Sequence, residues 1–176
     1  MKKLRLLLTL LVLLIANVSY CQSEQECLNN LSIFAESAKV KNYDAAYETW
    51  KIVLESCPKI NLAVYTYGER ILKHKIKNSI GDEQDNFKRN LVSLYDKWLE
   101  NFPTKKGVSR IGSILSTKAQ VMMDFKMAND AEVYQVFDEA YRKDAASFTN
   151  PKGLYNYFNT LYNLSLIHIS EPTRPI

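Results

Sequence analysis

The chain is poor in the residues that most often perform chemistry. Its 176 residues include 2 His, 3 Cys, 5 Gly and 5 Pro. That glycine and proline content excludes collagen-like repeats and a β-sandwich punctuated by Gly/Pro turns. It also leaves no material for a glycine-rich phosphate loop, and no GxGxxG, P-loop or HExxH motif occurs.

The two histidines do not supply a nucleophile. His168 lies among the last twelve residues, and His74 lies in a basic run where a histidine is typically a solvated surface residue. Neither position provides a Cys–His or Ser–His pair. We therefore expect a protein that is not an enzyme, with no catalytic residue, no metal site and no cofactor.

The positive charge is confined to the two ends of the chain. The whole sequence has a formal net charge of +4, yet residues 22–164 hold 19 basic and 18 acidic side chains. A nearly neutral body gives no electrostatic reason to expect binding to nucleic acid.

The N-terminus has the layout of a secretory signal peptide. Lys2, Lys3 and Arg5 precede an apolar run of 13 residues, positions 6–18, which is followed by small residues. A membrane-spanning helix needs roughly 20 apolar residues, so we expect no stable span after cleavage. The predicted signal peptide is residues 1–21, with cleavage after Cys21.

Cys21 permits a second interpretation, in which it is the lipidated cysteine of a bacterial lipoprotein. The sequence VSYC matches that motif only loosely, because Tyr20 stands where a small residue is preferred. Both interpretations export the chain to the periplasm or cell envelope.

The two remaining cysteines, Cys27 and Cys57, form a disulfide candidate in an exported protein. Each lies 15 residues from Asn42, the expected turn between two helices. Equal offsets from the turn of an antiparallel pair place two residues at the same height. The bond would stabilise the pair by roughly 3–4 kcal/mol. Two buried thiols that never pair are the alternative, and a four-ligand metal site lacks its other ligands.

Helical periodicity runs through the body of the chain, without a convincing alternating strand. Asn129 with Glu132 forms a capping box, as does Ser23 with Glu26, and Asn150 precedes Pro151 as a helix cap. Short links make neighbouring helices antiparallel, and residues 102–112 are expected to be a loop. The seven predicted helices cover residues 24–41, 43–56, 60–77, 83–101, 113–127, 131–145 and 151–164.

Three of these helices repeat one pattern. Counted back from Pro58, Pro103 and Ala145, an aromatic residue stands eight places earlier in each, and the repeat periods are 45 and 42 residues. Such periods indicate a helical-repeat protein. The aligned positions are Ala46, Leu91 and Val133; Trp50, Tyr95 and Phe137; and Val53, Trp98 and Ala140.

The first of these helices resembles the second helix of a tetratricopeptide repeat. Ala46, Trp50, Val53 and Pro58 follow the family spacing, and Tyr67-Gly68 resembles the Leu-Gly step of its first helix. The repeats here are longer than the family period of about 34 residues. The resemblance, which extends to exported tetratricopeptide-type proteins of the Bacteroidetes, implies an all-α fold of antiparallel helix–turn–helix repeats forming a short α-solenoid over residues 22–164.

The resemblance also implies a concave groove, lined by the first helices, that takes a protein or peptide partner. Mixed aromatic and charged side chains suit such recognition. Core packing explains any one of the groove residues equally well, and the basic run around Lys73 is usually a solvated face. In the best-aligned unit the groove residues would be Leu62, Tyr65, Glu69, Leu72 and Lys73.

The last twelve residues, SLIHISEPTRPI, break the helical pattern and contain two prolines. They resemble translated sequencing-adapter read-through; a natural disordered tail is the alternative. With the first interpretation, the helix from Pro151 is the first half of a fourth repeat in a truncated protein. Its apolar stripe of Leu154, Phe158 and Leu161 would then be uncovered.

These features predict a non-enzymatic exported scaffold that binds a protein or peptide. A second hypothesis is that the chain is the helical N-terminal region of a larger envelope enzyme or assembly machine. A third, carbohydrate binding, would require Trp50 and Trp98 to be exposed, whereas the periodicity buries them.

Overall fold

The computed structural model describes residues 24–170, with side chains through residue 166. The predicted signal peptide, Cys21 and Ser23 lie outside the described residues, as do the last six residues. The prediction of an all-α chain of antiparallel helix–turn–helix pairs is confirmed within this range. The seven helices are α1 (residues 24–39), α2 (Tyr43–Ser56), α3 (Ala63–Asn78), α4 (Gly81–Asn101), α5 (Ile111–Asp124), α6 (Asp130–Asp144) and α7 (Pro151–Ser170).

The described residues form two compact units, which divide within α3 after Ile71. The first unit holds α1, α2 and the start of α3. Asn42 caps α2, since its side chain accepts a hydrogen bond from the backbone N–H of Ala45. At the open end of this helix pair a disulfide joins Cys27 to Cys57, with 6.2 Å between their Cα atoms. The prediction from equal offsets is therefore confirmed.

Trp50 is the central side chain of the first unit. Its indole N–H donates a hydrogen bond of 2.7 Å to the carbonyl of Val64, and the bond is buried. The ring lies against Gly68, where no side chain is present to hold the two helices apart. The aromatic residue of α2 and the glycine of α3 therefore form one close helix–helix contact.

The second unit holds the rest of α3 together with α4–α7, and its core lies where α5, α6 and α7 pack in sequence order. The predicted capping box of Asn129 and Glu132 begins α6. Asn150 caps α7, since its side-chain oxygen accepts from the backbone N–H of Lys152 at 3.0 Å. The buried cluster comprises Leu115, Ala119, Val133, Phe137, Ala140 and Phe148.

The internal repetition of the sequence corresponds to one structural position. All nine aligned residues, three each from α2, α4 and α6, are buried. Each set of three shares a helix face because the residues are spaced four and three apart. The repeated pattern thus records three helices that bury the same stripe.

The link between α4 and α5 differs from the predicted loop. It contains a two-stranded antiparallel hairpin, β1 (Thr104–Lys105) and β2 (Val108–Ser109). Lys106 and Gly107 at its turn have φ of 51° and 77°, and positive φ at both central residues suits a two-residue hairpin. Strands of two residues are too short to produce a visible alternation in the sequence.

The C-terminal helix also differs from its prediction. We expected it to end at Leu164, yet α7 continues through Ser170. The residues Ser165 to Ser170 contain no glycine or proline, so nothing in them interrupts helical hydrogen bonding, and the first proline comes at position 172. The origin of these residues is a separate question that the helix boundary does not decide.

Asp144, at the end of α6, holds that end against the start of α5. Its carboxylate accepts hydrogen bonds from the hydroxyls of Ser109 at 2.6 Å and Ser147 at 2.5 Å, and from the backbone N–H of Gly112 at 3.4 Å. These bonds, led by that of Ser109, lower the pKa of Asp144. Gly112 lies directly against the Asp144 carbonyl, where a side chain would not fit.

Candidate functional site

Two of the five predicted groove residues on α3 are core residues. Tyr65 is 0% exposed and Leu72 is 1% exposed. The Tyr65 hydroxyl donates a hydrogen bond of 3.1 Å to the carbonyl of Pro58, so even its polar atom has an internal role. Both side chains stabilise the fold and present no surface to a ligand. Their burial follows the same helical stripe that made them resemble groove positions.

The other three predicted groove residues, Leu62, Glu69 and Lys73, are half-buried. The structure places all five residues on one helix but does not bring them together on one exposed face. A ligand role for Leu62, Glu69 and Lys73 stays a prediction. Lys73 in addition lines a cavity within the second unit.

The largest exposed apolar surface of α7 is a stripe along the helix. The sequence predicts that Leu154, Phe158 and Leu161 are uncovered, and they are 41%, 67% and 45% exposed. Three further side chains extend the stripe at helical spacing. We call the following six residues the α7 stripe: Leu154, Tyr155, Phe158, Leu161, Tyr162 and Leu166.

The opposite face of α7 is fixed to the rest of the second unit. The Asn156 amide donates to the side-chain oxygen of Gln120 on α5 at 2.6 Å, and the Asn163 amide donates to Asp130 on α6 at 3.0 Å. Thr160, between them, is fully buried. The helix that presents the α7 stripe is therefore held on its other side by α5 and α6.

Tyr157 is the aromatic anchor of this packed face. Its ring lies 5.4 Å from that of Tyr134 and 6.1 Å from that of Phe137, centroid to centroid. Its hydroxyl donates a hydrogen bond of 2.7 Å to Asp138. Burial, followed by this hydrogen bond to a carboxylate, raises the Tyr157 pKa. The hydroxyl therefore stays protonated and continues to donate.

The α7 stripe carries almost no charge. Lys152 is the only Asp, Glu, Lys or Arg residue from Pro151 to Ser170, and it pairs with Asp124 at 3.3 Å. A row of large apolar and tyrosine side chains without charge is typical of the centre of a protein interface. The arrangement suits the apolar face of another helix.

Sequence reasoning found half of the α7 stripe and missed Tyr155, Tyr162 and Leu166. Tyr155 and Tyr162 are seven residues apart and thus share a helix face, one position beyond the Leu154–Leu161 row. Extending the predicted stripe by one position on each turn would have included both tyrosines. Leu166 was missed because the helix was expected to end before it.

The evidence for carbohydrate binding does not survive in the structure. That hypothesis needed exposed tryptophans, yet Trp50 is 3% exposed and Trp98 is 5% exposed. Between residues 24 and 170, no three His, Cys, Asp or Glu side chains come together as they would around a metal ion. Over the same range, no helix has the length and apolar character required to cross a membrane.

Comparisons with known proteins yielded no relative. No family model matches the chain, and no curated protein or solved structure matches it either.

Proposed function

We propose that this protein is an exported helical-repeat scaffold of the tetratricopeptide type that binds another protein through the α7 stripe. The observation that carries the proposal is a row of six large side chains, between 41% and 67% exposed, on a helix whose other face is packed. Monomeric proteins seldom leave a contiguous apolar surface of this kind without a binding role.

Packing in the first unit supports the tetratricopeptide assignment. Ala46, Trp50 and Val53, which follow the family spacing, are all buried. Gly68, from the step that resembles Leu-Gly, is the residue against which Trp50 packs. The sequence resemblance and the helix contact therefore concern the same residues.

Two independent features support export. The N-terminal pattern of basic residues and a 13-residue apolar run is that of a signal peptide. The disulfide between Cys27 and Cys57 is compatible with an oxidising compartment, since cytosolic thiols are kept reduced.

The chemistry of the α7 stripe favours an amphipathic helix as the binding partner. Inside the second unit, α6 covers α5 with a stripe that includes Val133 and Phe137, spaced four residues apart. Leu154, Phe158 and Leu161 have the same spacing of four and three. A partner helix with an apolar row could pack along them as α6 packs along α5.

Site-specific photo-crosslinking in the native cell envelope tests this proposal. A photoreactive residue replaces Phe158 in one variant and Lys143, 58% exposed in its side chain on α6, in a control variant. We expect a discrete protein adduct at position 158 and none at 143. The double substitution Leu154→Ser with Leu161→Ser should reduce the adduct. Equal labelling at both positions, or none at either in folded protein, would contradict the proposal.

The α7 stripe also favours the second hypothesis, in which the chain is the helical region of a larger envelope protein. An unpaired first helix would then be covered by a helix later in the same polypeptide. Sequencing the gene from the source DNA past the codon for Leu164 distinguishes the two. A further amphipathic helix in the same reading frame would assign the α7 stripe to intramolecular packing.

A further inference from the structure

A second surface, distinct from the α7 stripe, is a basic cavity of about 460 Å³ within the second unit. Lysines from three elements line it, and they surround two apolar side chains. We call it the lysine cavity, and the residues that define it are Lys73, Lys77, Lys88, Lys126, Ile76 and Phe125.

The fold brings these lysines together from positions far apart in sequence. Lys73 and Lys77 are one turn apart on α3, so they share a face. The Gln84 amide on α4 donates to the carbonyls of Ile76 at 2.9 Å and Ser79 at 2.8 Å. These two bonds fix the α3–α4 turn, which places Lys88 of α4 beside the lysines of α3.

Positive charge predominates around the lysine cavity. An adjoining cavity of about 190 Å³ shares Lys88 and Lys126 and adds Arg89 and Asp85. Together the linings hold five basic side chains and two acidic ones, Asp85 and Asp124.

Both acidic side chains already have partners. Asp124 pairs with Lys152 at 3.3 Å, and Asp85 pairs with Lys88 at 2.8 Å. Within residues 24–170, neither Lys77 nor Lys126 forms a salt bridge. The acids of the chain therefore leave this concentration of charge uncompensated.

We propose that the lysine cavity binds the phosphate group of a phosphorylated organic molecule. A phosphate monoester carries about two negative charges at neutral pH, more than one carboxylate supplies. Lysine ammonium groups bind phosphate as point charges. The buried Ile76 and the half-buried Phe125 provide apolar walls for the organic part of the ligand. The ligand is either a soluble phosphate ester or the headgroup of a phosphorylated lipid, since both present the same group.

Titration calorimetry on the folded full chain tests the proposal with defined probes. Phenyl phosphate supplies a phosphate and an apolar ring, and benzoate is its singly charged carboxylate control. Vesicles of phosphatidylcholine with and without phosphatidic acid probe the lipid source. We expect saturable binding of phenyl phosphate, of phosphatidic acid vesicles, or of both, with benzoate at least about tenfold weaker than the phosphate probe.

The variant pair Lys77→Gln with Lys126→Gly should weaken binding about tenfold. Lys126 has a φ of 53°, a conformation that glycine adopts without strain, so this variant should remain folded. The matched control Lys143→Gln removes a lysine of α6 that pairs with Glu139, and it should bind as the unchanged protein does.

The two probe types separate the possible sources of the ligand. Binding of phenyl phosphate alone assigns a soluble ester, and binding confined to phosphatidic acid vesicles assigns a lipid headgroup. The proposal is overturned if neither probe binds saturably, or if the Lys77/Lys126 variant binds as tightly as the Lys143→Gln control. It is also overturned if a hexaglutamate peptide binds more tightly than either phosphate probe, because the cavity would then serve an acidic peptide.

Discussion

Trp50 lies against Gly68 so closely that a Cβ atom on residue 68 would stand 2.6 Å from the indole Nε1. The ring cannot simply move away, because its N–H is bonded to the Val64 carbonyl at 2.7 Å and the bond is buried. The contact between α2 and α3 thus depends on having the largest side chain opposite the smallest residue.

We expect Gly68→Ala to destabilise the protein despite alanine's higher helix propensity. Overpacking of a filled core costs about 1–3 kcal/mol, whereas glycine-to-alanine in a helix gains at most about 1 kcal/mol. Chemical denaturation measures the free energy of unfolding. Combining Gly68→Ala with Trp50→Leu should cost less than the sum of the two single changes, since the shorter side chain leaves room. Equal stability of Gly68→Ala and the unchanged protein would mean that the two helices do not meet this closely.

Removal of the disulfide should lower the stability of the first helix pair. The bond closes a loop with a sequence separation of 30, for which the chain-entropy model gives about 3–4 kcal/mol. Thermal melting with and without reductant measures the loss. The double variant Cys27→Ser with Cys57→Ser should melt where the reduced protein melts, and reductant should not change it further. A reductant effect that persists in this variant would assign the stabilisation to something other than the Cys27–Cys57 bond.

The elements that sequence reasoning found are those recorded by spacing. Helical periodicity located all seven helices, and equal offsets from Asn42 identified the Cys27–Cys57 pair. The alignment of Trp50 with Tyr95 and Phe137 marked residues that are all buried. Each of these inferences needed only the distance between residues along one helix or one hairpin.

The features that sequence reasoning missed depend on where separate elements meet. Tyr65 and Leu72 have helical spacing whether they face a groove or a core, and only packing shows that they are buried. The lysine cavity joins Lys73 to Lys126 across 53 positions of sequence, and no local pattern announces that meeting. The hairpin at Lys106 was missed for a different reason, since two residues per strand produce no periodicity.

Asp144 should make the stability of the second unit depend on acidity. Its pKa is lowered in the folded state, mainly by the Ser109 and Ser147 hydroxyls. The stability that it contributes is therefore present above the unfolded value near 4 and is lost as the pH falls through the folded pKa. Because Asp144 is only half-buried, we expect Asp144→Asn to cost about 1 kcal/mol at pH 7.

Unfolding titrations between pH 2 and pH 7 provide the measurement for Asp144. The gap in stability between Asp144→Asn and the unchanged protein should shrink as the pH falls below about 4. Asp96→Asn is a control, because Asp96 pairs with Lys118 and is 55% exposed in its side chain, where an ion pair contributes little. A gap that stays constant down to pH 2 would show that the Asp144 charge is not what the two serines stabilise.

The exposure of the α7 stripe can be tested with two phenylalanines of the same unit. Phe158 is 67% exposed, whereas Phe137 is 0% exposed. Phe158→Ser should change the free energy of unfolding by no more than about 0.5 kcal/mol, because little apolar surface is lost from the core. Phe137→Ser should cost about 3–5 kcal/mol, because it opens a cavity among packed rings. Urea denaturation of both variants measures the contrast. A large loss of stability for Phe158→Ser would mean that its ring is already covered in the folded protein, and the α7 stripe would then not be available to a partner.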